Sequence, residues 1–251
     1  MMLCRLLAAA FLVLAAPAQA EPLVADLSRH LVAITTGFAG TDVLLFGAVE
    51  EPRSRGAPGG DVVVVVRGPN RTEVVRRKDR EIGIWINTGR GEITGAPSFY
   101  RVAATRPLEE IASAGVLERY QIGLDHLAVD IRTDDPGATR EAYREALIQL
   151  KQRKGLYGDR VFDISLLGNR LFRTDVHFPA NVPVGTYLVE VYLIANGRVV
   201  SAQTTPLVVS KIGIGADVYD FAHRAAALYG ITAIALAASA GWLAALAFRK
   251  G

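Results

Sequence analysis

The chain has 251 residues, of which 51% are hydrophobic, and it carries 28 basic and 25 acidic side chains. Three of the basic residues, Arg5, Arg249 and Lys250, lie in the two terminal segments, so 25 of each sign remain in between. A neutral central part argues against nucleic acid as a partner. The single cysteine, Cys4, is also N-terminal, so the rest of the chain has no disulfide and depends on an ordinary hydrophobic core.

The N-terminus has the pattern of a secretory signal peptide. Arg5 is followed by the apolar run Leu6–Ala16 and by a small-x-small sequence at Ala18–Ala20. The apolar run is too short to span a bilayer. We therefore expect residues 1–20 to be removed by cleavage after Ala20. The alternative is an uncleaved N-terminal anchor.

Residues 21–106 are predicted to form the N-terminal part of a β-sandwich. Leu31–Thr35 and Val43–Val49 are rich in β-branched and apolar residues, as strands are. Val62–Val66 is an unbroken valine run between glycines, which is typical of a strand covered on both faces. Phe99–Ala104 is the last predicted strand of this part. Several short strands at this spacing indicate a sandwich.

A hairpin is predicted where Glu73–Arg77 and Ile82–Asn87 flank three charged residues. The basic run Arg76–Arg80 has two interpretations: a surface for lipid headgroups or an acidic partner, or a solvated hairpin tip. The glycines Gly89–Gly91 and Gly95 lie between two β segments, without the strand–loop–helix context of a phosphate-binding loop. We interpret them as part of a hairpin.

Residues 107–160 are predicted to be a helical insertion. Pro107 suits the first turn of a short helix, Leu108–Ala114. The pair Asp135–Pro136 is predicted to begin a longer helix that runs to about Lys154. The narrow apolar stripe of that helix is typical of a surface helix packed on a sheet.

Residues 161–211 are predicted to be a C-terminal Ig-like β part. Asn196-Gly197, between two apolar runs, is the strongest hairpin signal in the chain. Strand alternation gives six core residues here: Phe172, Val176, Phe178, Tyr187, Val189 and Val191. Whether this part and residues 21–106 form one sandwich or two stays open.

Residues 212–224 are predicted to link the β part to a transmembrane helix at residues 225–248, which contain no charged side chain. A helix of that length spans a hydrocarbon core about 30 Å thick, and lipid offers no partner for unpaired backbone groups. Arg249 and Lys250 favour a cytoplasmic tail, residues 249–251, by the positive-inside rule. A buried helix of a soluble protein is the alternative.

Small residues recur along one face of this helix at spacings of three and four. The predicted helix-packing residues are Ala233, Ala237, Gly241 and Ala245. Because lipid gives little hydrophobic drive between helices, close backbone approach over such a face favours association. The alternative is that the row reflects an alanine-rich composition alone.

The sequence assigns no catalytic residue, no cofactor and no metal site. The best acid/base or metal cluster is Asp125 and His126 with Asp130, and it requires at least two of these side chains on one face. The alternative is surface or capping residues in a helix-to-strand connection. The chain has no Gly-x-Ser-x-Gly elbow and, after Cys4, no thiol nucleophile.

Four segments carry a family resemblance: ITTGFAGTDVLLFGA (34–48), REIGIWIN (80–87), PSFYRVAATRPLEEIA (97–112) and FPANVPVGTYLVEVYLIANGRVVS (178–201). They are similar to a family of transmembrane proteins described from alphaproteobacteria, which we designate Alph_Pro_TM-like. The resemblance implies a Gram-negative inner membrane with the main domain in the periplasm, and it transfers no site residue. Pro179–Tyr187 also resembles the strand entry of Ig-like extracytoplasmic modules, a likeness of fold only.

Two functional hypotheses follow. The favoured one is a membrane-anchored periplasmic module without enzymatic activity, which binds or supports another envelope or inner-membrane protein such as a transporter. The alternative is a periplasmic small-ligand receptor or enzyme that uses the region around Asp125, His126 and Asp130. The alternative requires a concave pocket in which these side chains meet aromatic residues.

Overall fold

The computed structural model describes residues 23–49, 60–81, 83–168, 170–213 and 221–248. About 50% of the chain is strand and 26% helix, with several sheets and one apolar C-terminal helix, which confirms the predicted mainly β class. The predicted signal peptide, its cleavage site after Ala20 and the basic tail 249–251 lie outside the described residues.

Two sheets form the body of the protein. The first contains β1 (Leu23–Leu27), β3 (Gly40–Val49), β10 (Ser165–Leu167) and β11 (Leu171–Pro179). Its order is β1-β3-β11-β10, with all neighbours antiparallel. The second contains β2 (Leu31–Ile34), β4 (Asp61–Arg67), β7 (Tyr100–Ala104), β9 (Phe162–Asp163), β12 (Gly185–Ala195) and β13 (Arg198–Lys211). Its order is β2-β13-β12-β4-β7-β9, in which β2 and β9 lie parallel to their neighbours.

Strands from before and after the helical region pair directly in both sheets. β3 pairs with β11, where Leu45 lies opposite Thr174, and β4 pairs with β12, where Val64 lies opposite Val191. Buried side chains of both sheets belong to one hydrophobic core. The two predicted β parts therefore build one sandwich, and residues 161–211 supply strands to both of its sheets.

The valine run forms the centre of the second sheet. Val62–Val66 are each at most 1% exposed, as a strand covered on both faces requires. Val64 and Val66 lie beside Val176 of the first sheet. The other face lies under two helices, α1 (Leu108–Ile111) and α2 (Ala114–Tyr120). Tyr120 of α2 packs edge-on against Tyr192, the cross-strand neighbour of Val63.

Three aromatic rings join the sheets where β12 begins. Phe99 stacks on Phe178 with ring centroids 5.0 Å apart, and both rings meet the edge or face of Tyr187 at 5.7 Å. The Tyr187 hydroxyl donates to the Pro183 carbonyl oxygen at 2.6 Å, and burial raises the pKa of Tyr187 to about 12. All six core residues predicted in residues 161–211 are buried: Phe172, Val176, Phe178, Tyr187, Val189 and Val191.

The hairpin predicted at Asn196-Gly197 is confirmed. The turn joins Ala195 of β12 to Arg198 of β13, which lie opposite each other. Asn196 and Gly197 have φ of +51° and +71°, the left-handed values of a type I′ turn. Asparagine and glycine tolerate this region better than other residues, so the local sequence alone determines the turn.

A third sheet stands apart from the sandwich and has its own small core. It contains β5 (Asn70–Glu81), β6 (Ile84–Pro97) and β8 (Asp130–Thr133) in the order β5-β6-β8, all antiparallel. The helix α3 (Arg140–Arg153) packs on it through Tyr143 and Leu147, which meet Val75, Ile93 and Ile131. A hairpin is therefore present, but its turn was predicted at the wrong place: Lys78–Arg80 belong to β5, and the two strands are joined between Glu81 and Ile84. We call the three strands and α3 the small unit.

The start of α3 differs from the prediction. Its N-cap is Thr139, whose hydroxyl accepts a hydrogen bond from the Ala142 amide at 3.2 Å. The carboxylate of Asp135 is instead engaged by Arg77 and Tyr143. Asp135 therefore does not cap the helix, because a side chain 58 positions earlier in the chain occupies it.

Candidate functional site

The predicted acid/base cluster is only partly assembled. Asp125 and His126 lie on a 3-10 turn, Leu124–His126, and line a cleft of about 190 Å³ together with Glu109 and Arg160. Asp130 is not in that lining. It begins β8, is exposed, and pairs with the guanidinium of Arg132 at 3.5 Å. Strand alternation turns Asp130 away from Ile131, which enters the core of the small unit.

Backbone contacts hold the cleft in place. The Arg144 guanidinium donates to the carbonyl oxygens of Leu124 and Asp125, each at 2.7 Å. The Tyr100 hydroxyl donates to the Gln121 carbonyl oxygen at 2.7 Å and accepts from the Gly123 amide at 2.9 Å. Burial raises the pKa of Tyr100. The Tyr100 hydroxyl therefore holds the loop in place both as a hydrogen-bond donor and as an acceptor. Within the described ranges, no group of three or more histidine or carboxylate side chains could hold a metal ion.

The β5–β6 hairpin presents a basic face. In its register Arg76 lies opposite Arg90, Lys78 opposite Asn87, and Arg80 opposite Trp85. Cross-strand partners and alternate residues of one strand share a face, so these side chains point the same way. Trp85 is 67% exposed. We call Arg76, Lys78, Arg80, Trp85 and Arg90 the basic face.

The opposite face of the hairpin is tied to α3. Arg77 donates from Nε and Nη2 to Asp135 at 2.8 and 3.0 Å, and the Tyr143 hydroxyl donates to the same carboxylate at 2.7 Å. The Gly137 amide donates to it at 2.8 Å. These hydrogen bonds, that of Arg77 first, lower the pKa of Asp135 from 3.8 to about 2. Because this network holds one face of the hairpin against α3, the opposite face is the one exposed to solvent.

Two glycines of β6 make this contact possible. A Cβ at Gly91 would lie 2.6 Å from the Tyr143 ring, and one at Gly89 would overlap the Asp135 carboxylate. Tyr143 can lie against the strand only because both positions lack a side chain. Sequence reasoning interpreted Gly89–Gly91 as part of a hairpin between two β segments, whereas in the structure they lie within the strand β6 itself. It could not identify this role, because the partner side chains are some 50 residues away along the chain.

The hairpin and the anchor leave the sandwich from the same end. β4 and β13 are both antiparallel to β12, so they run in the same direction. β4 ends at Arg67 and the hairpin begins at Asn70, where Arg71 donates to the Val184 carbonyl oxygen just before β12. β13 ends at Lys211, from which the chain continues toward the C-terminal helix.

The C-terminal helix α4 (Ala226–Phe248) is long and apolar enough to cross a membrane. Its 23 residues span about 34 Å, and none of the spanning window is buried in the protein. Thr232 and Ser239 donate to the carbonyl oxygens of Leu228 and Ala235 in the preceding turn, at 2.8 and 2.6 Å. Both hydroxyls are therefore satisfied without water, as a lipid environment requires.

Comparison with known proteins identifies a family for this chain. A family model described as "Putative transmembrane protein (Alph_Pro_TM)" matches residues 22–250, which include the sandwich, the small unit and α4. No curated protein matches the chain, and no solved structure does.

Proposed function

The chain belongs to the Alph_Pro_TM family of transmembrane proteins, and we propose that it is a single-pass inner-membrane protein with its β body in the periplasm. In this proposal it has no enzymatic activity of its own and binds or supports another membrane or envelope protein, such as a transporter. The supporting observation is α4, an apolar helix on which Ala233, Ala237, Gly241 and Ala245 are exposed along one side.

A partner helix would fit this side closely. A Cβ added at Gly241 would meet no atom of the described chain within 4 Å, so the surface is open in the protein alone. In lipid, such small residues let two helix backbones approach, and van der Waals contact then favours association. The helix-packing residues are thus the proposed contact site with the partner.

The test compares the same substitution on two sides of α4. Ala237→Ile places a bulky side chain on the small-residue side, and Ala235→Ile places it on the opposite side. Both increase hydrophobicity, so both variants should insert. Crosslinking in native membranes followed by mass spectrometry should lose the partner with Ala237→Ile and retain it with Ala235→Ile. Equal recovery of the crosslinked partner with both variants would contradict the proposed contact.

The topology has its own test. The signal-peptide pattern of residues 1–20 and the basic pair Arg249 and Lys250 support export of the body and a cytoplasmic C-terminus. A reporter active only in the periplasm should be active when inserted at Gly155 and silent when fused after Gly251. The reverse pattern would contradict the topology, and a mature N-terminus other than Glu21 would contradict the cleavage site.

We also propose that the sandwich is Ig-like. An Ig constant-type domain places strands A, B, E and D in one sheet and C, F and G in the other. The order β1-β3-β11-β10 of the first sheet corresponds to A-B-E-D. The strands β13-β12-β4 within the six-stranded sheet correspond to G-F-C. The bond from the Tyr187 hydroxyl to the Pro183 carbonyl oxygen lies at the start of the strand equivalent to F, where Ig-like domains have a tyrosine corner.

A small-ligand receptor or enzyme is the second candidate, and the cleft at Asp125 and His126 is the observation that favours it. Its volume of about 190 Å³ is below the roughly 300 Å³ at which ligand pockets usually begin, so we rank it second. Screening small molecules by thermal shift tests this candidate. A ligand that stabilises the protein, but not His126→Ala, would favour it.

A further inference from the structure

We propose that the basic face of the β5–β6 hairpin binds the anionic phospholipid headgroups of the membrane that α4 spans. This inference uses the membrane anchor and does not depend on any protein partner. It gives the hairpin a role that neither the family description nor the sandwich explains.

The charge on this face is unbalanced. Arg76, Lys78, Arg80 and Arg90 are exposed, and none of the four has a side-chain hydrogen bond or ion pair with another described side chain. The nearest carboxylate in register is Glu92, closer to the base of the hairpin and opposite Val74. By contrast, Arg77 on the opposite face is paired with Asp135 and Asp79. The uncompensated cations are therefore concentrated on one side.

An aromatic residue completes the surface. Trp85 lies beside Arg80, and Ile84 at the turn is 65% exposed. Tryptophan favours the membrane interface, because its ring is apolar and its N–H can bond to headgroups or water. An exposed tryptophan among cations that lack an ion-pair partner fits an anionic membrane interface.

The tether permits this contact. Fourteen residues separate Lys211 from Ala226, and because residues 221–224 are helical their reach is below the roughly 50 Å of a fully extended segment. β5 has 12 residues and is about 40 Å long. Because the hairpin and the tether leave the same end of the sandwich, the hairpin can reach the membrane surface as long as the tether spans no more than about 40 Å.

The experiment follows Trp85 fluorescence in the full chain. Trp242→Phe removes the other of the two tryptophans, so that the emission reports Trp85 alone. This protein is reconstituted into vesicles of phosphatidylcholine, with and without phosphatidylglycerol, and brominated lipid serves as the quencher. We expect a blue shift and quenching only with phosphatidylglycerol, and loss of both at high salt, because salt screens the attraction.

A matched pair of variants locates the effect. Arg76→Glu with Arg80→Glu should abolish the shift, whereas Arg173→Glu with Arg198→Glu changes net charge equally on the sandwich strands and should leave it intact. Emission that is the same in both vesicle types overturns the proposal, as does a shift that survives high salt. If Trp85 stays in water in both vesicles while the hairpin pair abolishes crosslinking to an acidic protein in native membranes, that protein is the occupant. Ala237→Ile should leave Trp85 quenching unchanged, so failure of the helix contact and failure of lipid binding are distinguishable.

Discussion

The sandwich and the small unit are stabilised by different interactions. The sandwich has an extensive apolar core with stacked rings such as Phe99 and Phe178. Among its described residues the small unit buries six hydrophobic side chains, and it adds the Arg77–Asp135–Tyr143 network and an ion pair of Lys151 with Glu73. A small apolar core contributes little by burial, so the geometry of the polar contacts decides its stability. We therefore expect the stability of the sandwich to depend on the volume of its buried side chains. The stability of the small unit should depend on close packing and on its charged contacts.

The largest effect is expected in the aromatic core. Phe178→Ala should lower the free energy of unfolding by about 3–5 kcal/mol, because it removes a buried ring and leaves a cavity between the sheets. Chemical denaturation of the detergent-solubilised chain measures this. The control is Phe46→Ala, the same change on a strand of the same sheet at a side chain that is 44% exposed. Similar losses for both variants would contradict a volume-dependent core.

A smaller loss of stability is expected on β12, in the opposite sheet of the sandwich. Val191→Ala should cost about 1–3 kcal/mol, since Val191 is buried opposite Val64. The matched control is Val208→Ala on β13, where the side chain is 41% exposed. If the unfolding transition of Val191→Ala coincides with that of Val208→Ala, the inward face of β12 is assigned incorrectly.

The small unit should be destabilised by adding a methyl group, whereas the sandwich is destabilised by removing side-chain atoms. Gly91→Ala places a Cβ 2.6 Å from the Tyr143 ring, and such overpacking costs about 1–3 kcal/mol. Amide hydrogen exchange should accelerate in β6 and α3 while β12 stays protected. Gly115→Ala in α2 is the control, because no atom lies within 4 Å of its added Cβ. Faster exchange throughout the sandwich would show that the two regions unfold together.

The smallest effect is expected from acid. Asp135 has a pKa of about 2 in the folded protein against an ordinary 3.8, so the unfolded chain binds this proton more readily. Its contribution to stability is complete above the ordinary value and is lost as the pH falls toward 2. NMR signals of α3 should weaken over this range before those of β12. Asp135→Asn should remove this acid dependence, and an unchanged acid response in that variant would contradict the role of the carboxylate.

Prediction from sequence succeeded where neighbouring residues determine the structure. The valine run Val62–Val66 and the turn at Asn196-Gly197 depend on local composition, and both are where the sequence placed them. The alternating residues of β11 and β12 are buried for the same reason.

Prediction from sequence was less accurate where residues far apart in the chain compete for the same side chain. Asp135 has the chemistry of an N-cap, and only the approach of Arg77 shows why Thr139 has that role. The small unit was not foreseen as a separate core, because β8 is only four residues long and lies in the segment predicted to be a helical insertion. Asp125 and Asp130 were grouped by their proximity in sequence, and the start of a strand separates them.

The position of β5 at the border of the third sheet has a further consequence. One side of this 12-residue strand has no neighbouring strand in the described structure. Strands with an open border can pair with another copy of the same chain, and charged side chains along them oppose this. We therefore expect Arg76, Lys78 and Arg80 to oppose such pairing between copies as well. Replacing them by neutral residues would remove that protection, whereas glutamate would preserve it through repulsion between copies.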